Sequence, residues 1–129
     1  MEKDTIVEKE QKAVKVLQHL GFSRMEAQTI LFLFKTERVT ARDIEEGTKL
    51  RQPEVSQGTN ALINRKWIKK LKITTKGKGR PHYKYYLAKP KEKILDNIQE
   101  EIRKRIEQEQ QNLITVRELL LWNQNTLSS

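Results

Sequence analysis

The sequence of 129 residues contains no cysteine, which excludes disulfide bonds and thiolate metal sites and suits a reducing cytosol. Long hydrophobic runs are also missing. The longest, ILFLF at 30–34, is far shorter than the roughly 20 residues that cross a bilayer. The N-terminal segment MEKDTIVEKEQK is charged throughout and lacks the apolar stretch of a signal peptide. We therefore expect a soluble, cytoplasmic protein with no membrane partner.

Motifs that carry catalysis are scarce as well. His19 and His82 are the only histidines, and no HxxxH pair or carboxylate cluster with metal-ligand spacing accompanies them. No GxSxG motif occurs, and no glycine-rich phosphate loop follows a strand, since Gly77 and Gly79 belong to a predicted β-turn. These absences predict a protein that is not an enzyme and that needs no cofactor and no metal.

Positive charge is concentrated in one block. Residues 38–93 hold 16 Lys or Arg and 5 Asp or Glu, a net charge of +11, whereas the rest holds 10 and 12, a net charge of −2. Such a block indicates a polyanionic partner. The apolar content of 36% is low for a self-contained globule, so we expect long solvated helices or burial against a second subunit.

The first half of the chain reads as three helices. Residues 2–20 form a predicted helix with an apolar stripe at Val7, Val14, Leu17 and Leu20, and Gly21 ends it. Ser23 and Glu26 form a capping box that begins a second helix, whose 30–34 run lies at the centre of the core. A second box, Thr40 with Asp43, begins a short third helix after an edge strand at Val39.

A fourth helix begins at Pro53, placed at its first position where a missing N–H costs nothing. One face carries Val55, Thr59, Leu62 and Lys66, and amides occupy the opposite one. From Trp67 onward, apolar and polar residues alternate with a period of two, which indicates a hairpin. It would place Trp67, Leu71 and Ile73 on one face and Lys70, Lys72 and Thr74 on the other.

After the turn at 75–81, the alternation continues through Tyr83, Tyr85 and Leu87. We expect Tyr83 and Tyr85 to face the core, whereas Tyr86 stays open as a surface on which a base could stack. Two capped helices joined by a tight turn and followed by a basic hairpin are typical of a winged helix-turn-helix. The predicted fold is mainly α with a small β-hairpin (α+β).

The amide face of the fourth helix indicates sequence reading, because Asn and Gln can bond adenine through two hydrogen bonds at once. The alternative is that these amides only solvate an exposed face. Glu54 either stabilises the helix N-terminus through the macrodipole or accepts from a cytosine amine. Thr40 and Arg42 begin a helix whose free N–H groups can hold a phosphate.

The hairpin tip is predicted to enter a minor groove, although its lysines could instead only protect a sheet edge. The whole predicted DNA-binding set is Thr40, Arg42, Arg51, Gln52, Pro53, Ser56, Gln57, Asn60, Asn64, Lys76, Lys78 and Arg80.

From Lys89-Pro90 a last helix runs without a breaker to about Trp122, roughly 50 Å at 1.5 Å per residue. Its apolar stripe has too little partner surface within one chain, which predicts a homodimer; the alternative is that it folds back on the first helix. The predicted dimer contacts are Val7, Val14, Leu17, Ile98, Ile102, Ile106, Leu113, Val116 and Leu120. The predicted segments are a dimerisation helix at 1–20, the winged domain at 21–88, a dimerisation helix at 89–122 and a frayed tail at 123–129.

Three stretches, LGFSRMEAQTILFLF, LRQPEVSQGTNAL and KGKGRPHYKYYLAKP, resemble the opening helix, recognition helix and wing of archaeal winged-helix regulators of the TrmB and MarR type. GRPxxY followed closely by Pro is the most particular of these matches. The resemblance implies a homodimer built by terminal helices, with recognition helices in successive major grooves and wings along minor grooves. Two residues depart from it: Thr59 replaces a large aliphatic residue, and Lys66 replaces a frequent Gly.

TrmB proper also carries a large sugar-binding domain, which is not expected here, so sugar sensing is not carried over. Related dimeric regulators can bind small molecules near their dimer helices. Trp67 and Trp122 could line such a site, although core packing is the preferred interpretation. No particular effector is predicted.

The sequence thus predicts a sequence-specific, double-stranded-DNA-binding transcription regulator. Covering a promoter would make it a repressor, and activation by recruitment is the alternative mode of action. Two alternatives stay open. One is a non-specific architectural or RNA-binding protein that uses the same basic surface. The other is a protein-interaction winged helix of the transcription machinery, as in the archaeal factor TFE, against which the absence of cysteine argues.

Overall fold

The computed structural model describes the backbone of residues 2–74 and 82–128, and the side chains of 5–74 and 82–122. The described elements are α1 (Glu2–His19), α2 (Arg24–Lys35), β1 (Val39–Thr40), α3 (Ala41–Thr48), α4 (Gln52–Asn64), β2 (Ile68–Ile73), β3 (His82–Leu87) and α5 (Lys91–Ser128). They form two compact units, Met1–Lys91 and Glu92–Ser129. The predicted α+β winged-helix fold is confirmed. None of the helices described has the length and apolarity that crossing a membrane needs.

Both predicted capping boxes are present. The backbone N–H of Glu26 donates to Ser23 Oγ at 3.1 Å, and the N–H of Ser23 donates to Glu26 Oε1 at 3.1 Å. Thr40 and Asp43 make the same two bonds at 3.0 and 3.1 Å. Each box satisfies two N–H groups that an uncapped helix leaves without partners, and so fixes where α2 and α3 begin.

Two helices end in the same hydrogen-bonded motif, with a left-handed residue just past the helix. At the end of α1 this residue is Gly21, and the next N–H, of Phe22, donates to the Leu17 carbonyl at 3.1 Å. At the end of α4 it is Lys66, at φ 66°, followed by the N–H of Trp67 donating to the Leu62 carbonyl at 3.1 Å. Lys66 therefore does not continue the face of Val55, Thr59 and Leu62 as predicted, because the helix ends at Asn64, and Lys66 is exposed.

Helices α2 and α4 pack with almost no space between their backbones. A Cβ atom on Gly58 of α4 would lie 2.8 Å from Thr29 Oγ1 and 2.9 Å from the Met25 carbonyl oxygen of α2. Beside this contact Thr59 is buried, and its hydroxyl donates to the Val55 carbonyl at 2.9 Å within the same helix. A polar residue is tolerated there because its hydroxyl has a local partner.

The buried side chains of the first unit come from every helix of the winged domain and from the start of β2. They include Phe22, Ala27, Ile30, Leu33, Ile44, Leu50, Val55, Leu62, Trp67 and Ile68. Ile30 and Leu33 confirm that the 30–34 run lies in the core, although its other members are only half-buried.

The three-stranded antiparallel sheet has the order β1-β3-β2, and Val39 of β1 pairs with Tyr85. In the β2–β3 pair, Lys70 lies opposite Tyr85 and Lys72 opposite Tyr83. Directly opposed residues share a face, so Tyr83 and Tyr85 lie with the lysines and not with Leu71. The predicted grouping of Leu71 with the core is wrong, since its side chain is 42% exposed.

The exposed and buried positions of β2 differ from the predicted ones because of Trp67. This residue is buried as part of the helix-end motif of α4 and does not belong to β2. The strand begins at Ile68, which is 1% exposed, so the buried parity of β2 starts one residue later than the sequence pattern indicates.

An aromatic and ionic cluster joins the end of α4 to the start of α2. The Arg65 guanidinium carbon lies 4.5 Å from the Phe22 ring centre and 5.0 Å from that of Trp67. Arg65 Nε also donates to Glu26 Oε2 at 2.9 Å. Burial raises the pKa of Glu26, but the bonds from the Ser23 N–H and from Arg65 outweigh it and hold the pKa below its ordinary value of 4.5.

The second unit is the long helix α5, which continues to Ser128, six residues beyond the predicted end near Trp122. The backbone of 123–128, which the sequence predicts as a frayed tail, is thus helical. No glycine or proline follows Trp122, so the sequence holds no signal that would end the helix there.

We predict that Lys66→Gly stabilises the protein by roughly 0.5–1 kcal/mol. The left-handed conformation costs a residue with a Cβ about 1–2 kcal/mol, and the extra freedom of glycine in the unfolded chain offsets about half of this. Urea unfolding would measure the change. Lys66→Ala is the control, because it removes the same charge but keeps the Cβ; equal stability of the two variants would contradict the prediction.

We predict that Glu26→Gln destabilises the protein at neutral pH by about 0.5–1 kcal/mol, since glutamine keeps the capping box but loses the ion pair with Arg65. The pKa of Glu26 is lowered by folding, so its charge stabilises above pH 4.5, and this contribution disappears as the pH falls through the folded-state pKa. In urea unfolding from about pH 7 to pH 3, the two proteins should therefore converge in acid. A difference that stays constant with pH would refute this account.

Candidate nucleic-acid interface

The outer face of α4 is polar and open to solvent. Val55, Thr59 and Leu62 hold the helix against the core, which turns the other side outward. The exposed residues on that side are Gln52, Pro53, Ser56, Gln57, Asn60 and Asn64. Within the described part of the chain, the four amide side chains in this group have no hydrogen-bond partner. They are therefore able to donate to and accept from an external molecule.

The start of α4 is fixed by Glu54. Its Oε1 accepts the backbone N–H of Arg51 at 2.9 Å, and its Oε2 accepts from the guanidinium of Arg24. Both oxygens thus have partners within the protein, which favours the capping role of Glu54 over the cytosine-reading one. The helix begins at Gln52, one residue before the predicted start. Pro53 is its second residue, a position whose backbone N–H would have no helical partner, so the missing N–H of proline costs nothing there.

A cleft of about 680 Å³ lies between the start of α3, the start of α4 and strand β3. It brings together three predicted site residues, Thr40, Arg42 and Gln52. The other lining residues are Ala41, Glu45, His82, Tyr83 and Tyr85. Tyr83 and Tyr85 share the face of the sheet that carries the buried Val39 and Ile68, as the sequence predicts, but both are only half-buried and so line the cleft.

The sheet adds positive charge without any acidic residue in its three strands. Lys69, Lys70 and Lys72 are exposed, and Lys70 Nζ lies 4.8 Å from the ring centre of Tyr83. On the other face, the Arg38 guanidinium lies 5.2 Å from the ring centre of Tyr86. That side of the Tyr86 ring is thus covered by a cation, which leaves less room for a stacked base.

The other predicted DNA contacts include one residue with an ion-pair partner and three residues outside the described ranges. Arg42 is exposed and forms an ion pair of 3.5 Å with Glu46 in the same helix. The predicted contacts at Lys76, Lys78 and Arg80 lie outside the described residues. Across the described ranges, no group of three His, Cys, Asp or Glu side chains could hold a metal ion.

The predicted dimer contacts divide by exposure. Val14 and Ile98 are buried in the single chain, and Leu17 and Ile102 are half-buried. The exposed members are Val7, Ile106, Leu113, Val116 and Leu120. Of the two tryptophans, Trp67 is buried in the core as expected, whereas Trp122 is 67% exposed, so its expected core packing is wrong.

Solved structures share this fold at low sequence identity. A possible transcriptional regulator from Methanosarcina mazei Go1 is 16% identical, with a TM-score of 0.61 over 83% of this chain and 85% of that one. The archaeal chromatin protein TrmBL2, described as showing a novel mode of DNA binding, is 19% identical with a TM-score of 0.60. That match covers 88% of this chain but only 41% of TrmBL2.

NadR in complex with 4-hydroxyphenylacetate is 16% identical, with a TM-score of 0.51 over 92% of this chain and 83% of that one. A comparison with curated proteins gives no match. The model of the family described as "Sugar-specific transcriptional regulator TrmB" matches residues 17–92, which is more than half of the chain. The chain therefore belongs to the TrmB family of transcriptional regulators.

Proposed function

We propose that this protein is a sequence-specific, double-stranded-DNA-binding transcription regulator that acts as a cytoplasmic homodimer. The observation that carries the proposal is the exposed row of unpartnered amides on α4, next to a basic sheet without acidic residues. Amides alone would fit many polar surfaces, and lysines alone would fit any polyanion. Their combination fits a duplex whose base edges and phosphates must be met together.

In the proposed complex, α4 lies in the major groove. Gln52, Ser56, Gln57 and Asn60 recur about every turn of the helix, so they face one groove floor. Pro53 contacts the base edges beside them, and Asn64 lies at the far end. Arg51, just before the helix, is placed to contact the backbone.

The start of α3 and the wing take the phosphates. Thr40 and Arg42 lie in the same cleft as Gln52, so a strand that passes Gln52 also passes the free N–H groups of the first turn of α3. Lys76, Lys78 and Arg80 follow β2 in the sequence and would reach the backbone or the adjacent minor groove.

A second copy of the chain is the proposed partner of α5. Ile106, Leu113 and Leu120 recur every seven residues, as in a coiled-coil seam, and they are 51%, 68% and 61% exposed. An apolar stripe of this size is rarely left in water. A two-fold dimer would present two recognition helices to two half-sites, and occupation of a promoter would repress transcription.

Salt dependence of DNA binding tests the proposal. If a dimer neutralises about six to ten phosphates, the logarithm of the binding constant should fall against log salt with a slope of roughly −5 to −9. The duplex would be one selected by the protein from a random pool, and sedimentation of the complex should give two chains per duplex. A slope near zero would refute the proposed DNA binding. One chain per duplex would refute the proposed dimer.

Substitution of one amide tests sequence reading. Gln57→Ala should relax the preference at one base pair per half-site by about 1–3 kcal/mol while leaving affinity for random duplex unchanged. Gln18→Ala is the control, since Gln18 is an equally exposed amide on α1. Equal losses on selected and random DNA would remove Gln57 from direct readout.

A non-specific architectural role is the second candidate, favoured by the fold likeness to the chromatin protein TrmBL2 and by the net charge of +11 in the basic block. That role predicts equal affinity of the wild-type protein for selected and random duplex. Specific binding that survives an excess of random DNA would favour the regulator.

A further inference from the structure

The start of α2 crosses the middle of α4 at Gly58. Only hydrogen occupies the side-chain position there, and the Met25 carbonyl oxygen lies 2.9 Å from where a Cβ would be. The Thr29 side chain and the Met25 carbonyl group of α2 pack directly on Gly58. One such contact fixes the distance between the two helices but does not by itself fix their rotation about this point, the pivot. Other interactions must therefore fix the angle of α4.

Two ion pairs lie on opposite sides of the pivot. Toward the N-terminal end of α4, Glu54 pairs with Arg24 of α2. Beyond its C-terminal end, Arg65 pairs with Glu26 of α2 at 2.9 Å. The two α2 partners are two positions apart in one helical turn, whereas Glu54 and Arg65 are eleven positions apart. The short first turn of α2 thus holds the long helix α4 at both ends.

The order of the charges makes this arrangement specific. Helix α2 offers Arg24 and then Glu26, and α4 meets them with Glu54 at one end and Arg65 at the other. A reversed crossing would place Arg24 near Arg65 and leave Glu26 near Glu54. Like charges would then replace both ion pairs, so the pairs select one orientation against its reverse.

Glu54 also links the angle of the helix to its cap. One carboxylate oxygen accepts the Arg51 N–H and the other accepts from Arg24, so the anchor from α2 reaches the first turn of α4 directly. Gln52 is two residues from Glu54, and Ser56 and Gln57 lie within the next turn. A change at Arg24 is therefore transmitted to the amides nearest the helix start.

We infer that Arg24 and Glu54 are positioning residues for base recognition: their ion pair, opposed by Glu26–Arg65 across Gly58, sets the angle at which α4 presents its amides to DNA. The inference rests on the proposed function. It assigns neither residue a contact with DNA. Arg24 and Glu54 act through the orientation of Gln52, Ser56 and Gln57.

A small rotation is sufficient to matter. Gln52 lies six residues from the pivot, about 9 Å at 1.5 Å per residue, so a rotation of about 7° moves it by about 1 Å. Side-chain hydrogen bonds occupy a distance range of only about 0.5 Å. A shift of this size would weaken base contacts while leaving the nonspecific attraction between lysines and phosphates nearly unchanged.

The test uses Arg24→Gln, Glu54→Gln and the double variant in the full-length protein. Glutamine at 54 can still accept the Arg51 N–H, so Glu54→Gln removes the ion pair and the carboxylate charge but keeps the cap. For each protein, affinities for the duplex selected by the wild type and for random duplex are measured over a series of salt concentrations. Each single variant should lower the ratio of the two affinities by about fivefold to tenfold, the lower part of the range for losing one bidentate base contact.

Three further readouts separate positioning from other roles. The double variant should lose no more than either single variant, because both remove one interaction. Arg24→Lys should restore most of the ratio. The salt slope on random duplex should be unchanged, since a phosphate contact by Arg24 would lower it by about one.

Lys35→Gln is the matched control. Lys35 pairs with Glu10 at 3.0 Å between α1 and α2, with side-chain exposures of 44% and 29%, close to the 50% and 27% of Arg24 and Glu54. Its loss should leave the affinity ratio unchanged. Thermal unfolding of all variants would show whether any loss of discrimination only follows a loss of folded protein.

The outcomes are distinct. A wild-type protein that binds selected and random duplex equally overturns the proposed function, and this inference with it. A discriminating wild type whose variants behave as Lys35→Gln overturns the inference alone. So does a Glu54→Gln variant that changes preference at one base pair while Arg24→Gln does not, because that pattern marks Glu54 as a base reader.

Discussion

The close approach of α2 and α4 at Gly58 is the contact on which the rest of the winged domain depends. It brings the two helix backbones together and buries Thr29, whose hydroxyl has no hydrogen-bond partner among the described atoms. Leaving a buried hydroxyl without a hydrogen bond costs free energy, and the packing of the side chains around this contact must offset that cost. Because one side of α4 is packed this closely on α2, its amide side faces solvent, and the exposed polar face follows from the buried glycine opposite.

The end of α4 then determines the sheet. The left-handed Lys66 turns the chain, and Trp67 is buried beside Phe22 and Arg65. The N–H of Ala88 donates to the Trp67 carbonyl at 2.8 Å. This last bond joins the end of β3 to the start of β2. Tyr83 and Tyr85 consequently line the cleft beside α3. The end of α4 therefore helps to determine which side chains line the cleft, although it does not line the cleft itself.

Features that rest on local interactions are the ones that the sequence predicts correctly. The capping boxes join residues three apart, and the amide face of α4 follows from helical spacing, so both could be predicted. The exposed position of Leu71 could not, because it depends on β2 beginning at Ile68 and on the pairing of β2 with β3. The ion pairs of Arg24 with Glu54 and Arg65 with Glu26 join residues 30 and 39 positions apart, and no local pattern indicates them.

The two units differ in how their charges are arranged. On α5, Arg103 is paired with both Glu100 and Glu107, so its charge is neutralised locally. The hydrogen bond that Arg103 donates to Glu100 lowers the pKa of the Glu100 carboxyl group. By contrast, within the described residues no lysine of the sheet takes part in an ion pair. Residues 92–129 carry 5 Lys or Arg and 7 Asp or Glu, a net charge of −2. A polyanion is therefore attracted to the winged unit and weakly repelled by the long helix.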